Sequence, residues 1–185
     1  MQLMELVKTI SSNKLIKSLL LIIVGSILLT ISAKIQIPFY PVPMTMQTFV
    51  VIFIGIAFGW KLGLATVVAY LVEGAIGLPV FAGTPEKGIG IAYMISTTGG
   101  YLFGFLVAVF IAGFINLEKN IFRNFFLISF AVSTIYLFGL PWLAYLKGWE
   151  IAYIYGFKQV ILSDVLKICL ITVISKQTLK IRNFI

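Results

Sequence analysis

Residues 156–167 read GFKQVILSDVLK, and in them a carboxylate, Asp164, and an ammonium, Lys167, stand three positions apart inside an apolar run. From residue 160 to residue 174 no other charge occurs. On a helix this spacing puts both side chains on one face, about 5–6 Å apart at Cβ, so the two can pair. If that helix crosses a membrane, the pair lies deep. Ionisable groups at such depth face a bundle interior or a cavity and mark a functional site. The alternative is a structural ion pair that staples the helix to its neighbours.

The rest of the chain supports the membrane reading. Of 185 residues, 61% are hydrophobic, 11% are charged and none is histidine, and the mean hydropathy is +1.09. This composition describes an integral membrane protein. At about 20 residues per crossing the expected fold is all-α, one domain over residues 1–185 with six transmembrane helices at 15–33, 46–59, 62–76, 99–115, 125–146 and 156–174. The net charge of +8 fits Lys and Arg concentrated in cytoplasmic loops. Basic and aromatic residues are not interleaved on a polar surface, so no nucleic-acid partner is expected. Cys169 is the only cysteine; it permits no intrachain disulfide or CxxC site and reads as a small core residue.

Residues 1–13 form a mildly amphipathic lead-in expected along the membrane surface, and the first apolar run, with no small-residue cleavage site after it, reads as a retained helix. Within it Ser26 and Thr30 make a small-x-x-x-small pair suited to close helix approach. Residues 35–45, IQIPFYPVPMT, hold Pro38, Pro41 and Pro43. Proline forbids helix here, yet the segment is too apolar for a solvated loop. It is expected to fold onto the bundle as a lid, since irregular backbone at membrane depth is buried in protein or lines a cavity. Gln47, after Thr45, is either an interhelical hydrogen-bond partner or a ligand contact. Glu73 reads as a solvated helix end.

Residues 74–104 contain half of the sixteen glycines. Gly83 and Gly88 punctuate this stretch among Phe81, Tyr93 and Tyr101, and it reads as a second gate over a pocket. It is no nucleotide loop, because the chain has neither GxGxxG after a strand nor GxxxxGK[ST]. Gly100 and Gly104 offer a packing face in the fourth span. The fifth is expected to be interrupted at Gly139, Leu140 and Pro141.

Nine cations fall in the termini and the second and fourth loops, and four, Lys34, Lys87, Lys147 and Lys158, in the opposite loops. That bias places both termini in the cytoplasm. The proline-rich and glycine-rich segments and the Asp164 end of the last helix then converge on one extracytoplasmic pocket. It offers an acceptor (Asp164), a donor (Lys167), amide and hydroxyl groups (Gln47, Thr45) and aromatic walls (Phe39, Tyr40, Phe81, Tyr101). Such a set suits a small, partly apolar molecule carrying both N–H donors and a carbonyl acceptor. Catalysis is disfavoured: a single Asp excludes an aspartyl dyad, and the absence of His excludes a histidine triad. Active transport would need another subunit to supply ATP hydrolysis.

IPFYPVPMTMQTFVV (37–51), GAIGLPVFAG (74–83), TTGGYLFGF (97–105) and SDVLK (163–167) resemble the BioY family, the biotin-binding S components of energy-coupling factor (ECF) transporters. The resemblance implies a multi-pass protein of the bacterial inner membrane that captures biotin outside, as transported ligand and with no cofactor. It also implies a transmembrane coupling subunit and two ATPase subunits as partners, whose ATP hydrolysis reorients the binding subunit. The family's Asp and Lys of the last helix fall on Asp164 and Lys167. Gln47 and Tyr101 occupy motif positions near the expected pocket, with Thr45 and Phe81 beside them, and Pro41, Pro43, Gly83 and Gly88 belong to the gates. Ser26 and Thr30 fall where S components carry an Ala-x-x-x-Ala surface for the coupling subunit. The chain has Ser96, Thr97 and Thr98 where the family has Gly-Pro-Thr, and residues 160–164 replace a Pro-Phe-x-x-Gly-Asp lead-in. Two other readings are an S component for a different vitamin and a self-contained facilitative or proton-coupled carrier with Asp164 as proton carrier.

Overall fold

The computed structural model describes residues 14–86, 88–117 and 120–184, without the side chains of 176, 183 and 184; the lead-in read at residues 1–13 lies outside them. The first apolar run forms helix α1 (Lys14–Lys34), which turns Gly25, Ser26, Leu29, Ser32 and Ala33 inward and leaves Ile23, Ile27 and Ile31 exposed. The inward face is the small one. Between helices in lipid, close packing of small residues supplies what the hydrophobic effect does not.

The proline-rich segment forms a short antiparallel ladder, β1 (Gln36–Ile37) on β2 (Met44–Thr45), with a cis Tyr40–Pro41 bond in the connection. Pro41, Val42 and Pro43 are buried, as backbone without helical hydrogen bonds must be at this depth. Helix α2 (Gln47–Ala75) contains the reversal between the second and third expected spans. Gly59 there has φ 74° and ψ 173°, a left-handed φ that glycine adopts without the clash a Cβ would bring. A Cβ on Gly63 would lie 3.3 Å from Gly55 Cα, so limbs 47–58 and 60–75 run back along each other. The turn is thus one residue rather than the Trp60, Lys61 and Gly63 turn expected from sequence.

The glycine-rich segment leads through α3 (Ile91–Met94) to α4 (Gly99–Phe114). α4 is the central element and packs most extensively on α2 and on α5 (Ile121–Lys147). Its small residues allow this: a Cβ on Gly104 would lie 2.7 Å from Ile135 Cα. The Asn120 side chain starts α5 by accepting the amides of Phe122 at 3.0 Å and Arg123 at 3.2 Å. α5 runs unbroken through Pro141, where an interruption was expected. The proline costs it one hydrogen bond and a steric clash, and packing of Gly139 on Tyr101 and burial of Leu143 offset them.

The chain ends in α6 (Trp149–Ile151), a π-helical stretch (Ala152–Lys158) and α7 (Gln159–Phe184), together longer than the span expected at 156–174. Among the described residues α1, α2 and α5 are long and apolar enough to cross a membrane, and α4 is a shorter apolar helix. The protein is a multi-pass, mostly helical membrane protein.

Two expectations are corrected here. Cys169 is exposed rather than a core residue, because it lies two positions past the inward-facing Lys167. Glu73 is not simply solvated: it is half-buried and accepts a hydrogen bond from the Ser26 hydroxyl. Ser26 is consequently 2% exposed and faces α2, a close helix approach of the kind its small side chain allows. A hydroxyl and a carboxylate at membrane depth satisfy each other where water cannot. Thr30 is half-buried beside it.

Candidate functional site

α7 presents Asp164 and Lys167, 4% and 6% exposed, to the middle of the bundle, with Nζ 2.7 Å from Oδ1. Two buried charges three residues apart neutralise each other, but each still needs its remaining hydrogen bonds satisfied. Tyr136 of α5 donates to Asp164 Oδ2 at 2.5 Å, and Lys167 Nζ donates to the Thr45 carbonyl at 2.6 Å. One of the three ammonium N–H groups is left over, and each carboxylate oxygen keeps acceptor capacity. The pair can therefore give one donor and take one or two donors from a ligand.

These groups form the polar end of a cavity between α2, α4, α5 and α7, lined by apolar walls with a few convergent polar groups, as small-molecule sites are. Val42, Leu102, Phe105, Ile135 and Val160 supply apolar wall, and Pro43, Thr45, Gln47, Tyr93, Thr98 and Tyr101 complete it. Tyr101 is set by two glycines. A Cβ on Gly139 would lie 2.4 Å from its ring and one on Gly156 2.5 Å from its hydroxyl. That hydroxyl donates to the Gly156 carbonyl at 3.1 Å, in the π-helical stretch, a departure from α geometry that recurs at functional sites. Gln47 both pairs between helix limbs and lines the cavity. Its Nε2 donates to the Tyr70 hydroxyl at 2.8 Å, which donates to the Val80 carbonyl at 3.0 Å.

Asp164, Lys167, Gln47, Thr45, Tyr101 and Pro43 thus meet at one cavity, and the other sequence candidates do not line it. Phe81 is fully buried, stacked 5.0 Å from Tyr93 and edge-on 5.4 Å from Tyr70, where it anchors the glycine-rich segment from below while its neighbour Ala82 reaches the cavity. Gly83 and Gly88 have φ of 75° and 95° and shape that segment. Pro41 and Tyr40 line an adjoining hollow.

The proline-rich and glycine-rich segments are tied to each other and to the helices. The Thr97 hydroxyl donates to the Pro41 carbonyl at 3.0 Å, Tyr93 to the Ala82 carbonyl at 2.5 Å and Trp142 Nε1 to the Ser96 carbonyl at 2.8 Å. Burial pushes the Tyr93 phenol above its ordinary pKa, so it stays a donor. Lys34, at the end of α1, donates to the Phe81 and Thr84 carbonyls at 3.0 and 2.9 Å and to Thr84 Oγ1 at 3.0 Å. Sequence reasoning missed Tyr136, Tyr93 and Lys34 as site residues. Lys34 carried a signal, a cation ending a span beside an apolar segment rich in carbonyls; Tyr136 carried none within its apolar run.

Lys34→Met is expected to speed amide hydrogen exchange across residues 81–90 about tenfold, the equivalent of about 1.4 kcal/mol, near the net worth of one charge-assisted hydrogen bond. Unchanged exchange would show that the gate is held without this clamp.

The family model described as the BioY family matches residues 4–184. A curated relative from Pyrococcus horikoshii, "Probable biotin transporter BioY", is 38% identical over 151 residues, 81% of this chain and 88% of its own length. One from Thermotoga maritima, "Biotin transporter BioY", is 42% identical over 95 residues, 51% of this chain and 54% of its own length. A crystal structure of the S-component for biotin from an ECF-type ABC transporter superposes with a TM-score of 0.77 at 27% identity, covering 91% of this chain and 93% of that one.

Proposed function

The chain belongs to the BioY family, and on that premise we propose that it is the biotin-capturing membrane subunit of an ATP-driven uptake transporter of the ECF type. The observation that carries the reading is the buried Asp164 and Lys167 pair, held by Tyr136 and Thr45 at the closed end of a cavity roofed by two outer segments. Biotin's ureido ring has two N–H donors and one carbonyl acceptor. The pair has spare acceptor capacity on Asp164 and one spare donor on Lys167, and a charged hydrogen bond is the strong kind. The apolar bicycle suits the wall of Val42, Leu102, Phe105 and Ile135.

In this reading α1, the two limbs of α2, α4, α5 and the stretch from α6 to α7 are six crossings in one domain, with both termini on the cytoplasmic side of a bacterial inner membrane. The approach of Arg182 to Gly59, 3.6 Å from a Cβ placed there, supports a shared side for the second loop and the C-terminal helix end. Biotin enters between the proline-rich and glycine-rich segments and is occluded by them. A coupling subunit and two ATPase subunits then drive reorientation and release inside.

The test is equilibrium binding of biotin to the detergent-purified chain, followed by uptake into liposomes with and without the ATPase module. Tight binding, lost in Lys167→Ala, and uptake dependent on the module and ATP are the expected results. Uptake by the chain alone, abolished by collapsing a proton gradient, would overturn the ATP-driven mechanism in favour of a carrier. Tight binding of riboflavin or thiamine in place of biotin would transfer the reading to another vitamin.

A further inference from the structure

We infer that the outer mouth of the cavity is a second half-site, which receives the carboxylate end of the ligand with Lys147 as its countercharge; this rests on the biotin reading above. The mouth is an open hollow bounded by Tyr40, Pro41, Ser96, Thr97 and Lys147. It shares Pro43, Tyr93 and Thr98 with the inner cavity, so the two spaces adjoin. A ligand with a urea at one end and a carboxylate at the other has two orientations to choose from.

The inner end is closed to the carboxylate. Asp164 is negative, and the charge of Lys167 is already cancelled by it at 2.7 Å. A second carboxylate there would be repelled and would be stripped of water without a free cation to replace it. The mouth has the opposite character. Lys147 ends α5, is exposed and makes no ion pair or hydrogen bond among the described residues, with Glu150 or any other acid. Of the hydroxyls beside it, that of Thr97 is bound to the Pro41 carbonyl and that of Ser96 to the Tyr93 carbonyl. Thr98 Oγ1 lies 3.5 Å from Ser96 Oγ and pairs with the Tyr93 phenol, so the hydroxyls here are all engaged and Lys147 is the group with capacity to spare. An unpaired cation above a neutralised ion pair orients the ligand urea inward and carboxylate outward. The same cation steers an anionic ligand to the mouth, an effect that salt screens.

The experiment compares biotin with its neutral carboxamide on the full-length wild type, Lys147→Gln and Lys147→Glu, by stopped-flow association and equilibrium binding at low and high salt. The expected result is a several-fold slower association and weaker binding of biotin in Lys147→Gln, more so in Lys147→Glu. The differences should shrink at high salt, and the carboxamide should bind all three proteins alike. Variants that bind biotin as the wild type does, or that lose both ligands equally, overturn the inference and leave the biotin reading standing. A wild type that binds neither ligand overturns that reading and the inference with it.

Discussion

Asp164→Asn is expected to weaken biotin binding about ten- to hundredfold, or about 1.4 to 2.8 kcal/mol, and to lower the melting temperature as well. The carboxylate accepts from Lys167 on one oxygen and Tyr136 on the other, and a ligand N–H would add to these as a charged hydrogen bond. An amide at this position has one acceptor oxygen for these donors and no charge. It therefore leaves the Lys167 ammonium buried with neutral partners, and breaking one half of a buried pair is costly. Binding loss and instability are separated by a second variant. In Asp164→Asn combined with Lys167→Met the stranded charge is gone, so melting temperature should recover while biotin affinity should not. Recovery of both, measured by calorimetry in detergent, would make the pair a structural staple and remove it from the site.

The second large effect lies away from the cavity. Gly74→Ala is expected to destabilise the protein by about 1–3 kcal/mol, the usual range for overpacking, and to weaken biotin binding although residue 74 does not line the site. A Cβ on Gly74 would stand 1.9 Å from Phe81 Cζ, and Phe81 has no room to retreat: it is fully buried between Tyr70 and Tyr93. Tyr70 holds Gln47, and Tyr93 lines the cavity and bonds the Ala82 carbonyl, so a displaced ring moves both walls. Shortening the ring in a Gly74→Ala and Phe81→Leu double variant should restore part of both properties. If the double variant is worse than the sum of its parts, the coupling through Phe81 is wrong.

Much of the architecture was legible because membrane insertion imposes local rules. Apolar runs of helix-crossing length marked the helices, the prolines of residues 35–45 marked a non-helical connection, and apolar composition said that it had to be covered. The pair in α7 stood out because an i, i+3 spacing fixes a shared face whatever surrounds it. The limits were equally physical. Phe81 and Tyr101 look alike in sequence, both aromatic and both flanked by glycine-rich chain, yet Tyr101 lines the cavity and Phe81 lies beneath it. The difference is which glycines make room for each ring, Gly139 and Gly156 for one and Gly74 for the other, and those contacts join residues up to 55 positions apart. Glu73 was misread for the same reason, since its partner, Ser26, comes from a different helix.

By itself the sequence determined that this chain crosses a membrane as a helical bundle, carries a carboxylate and an ammonium on one face of its last helix and holds two irregular segments beside a pocket. These follow from hydropathy, helical period and the backbone restrictions of proline and glycine, all of which act within a few residues. Only the tertiary structure decided which groups complete the pair, Tyr136 and Thr45, which cation clamps the gate, Lys34, and which aromatic ring faces the cavity. Those outcomes depend on hydrogen bonds of under about 3 Å between elements distant in the chain, and no local periodicity encodes which helix faces will meet.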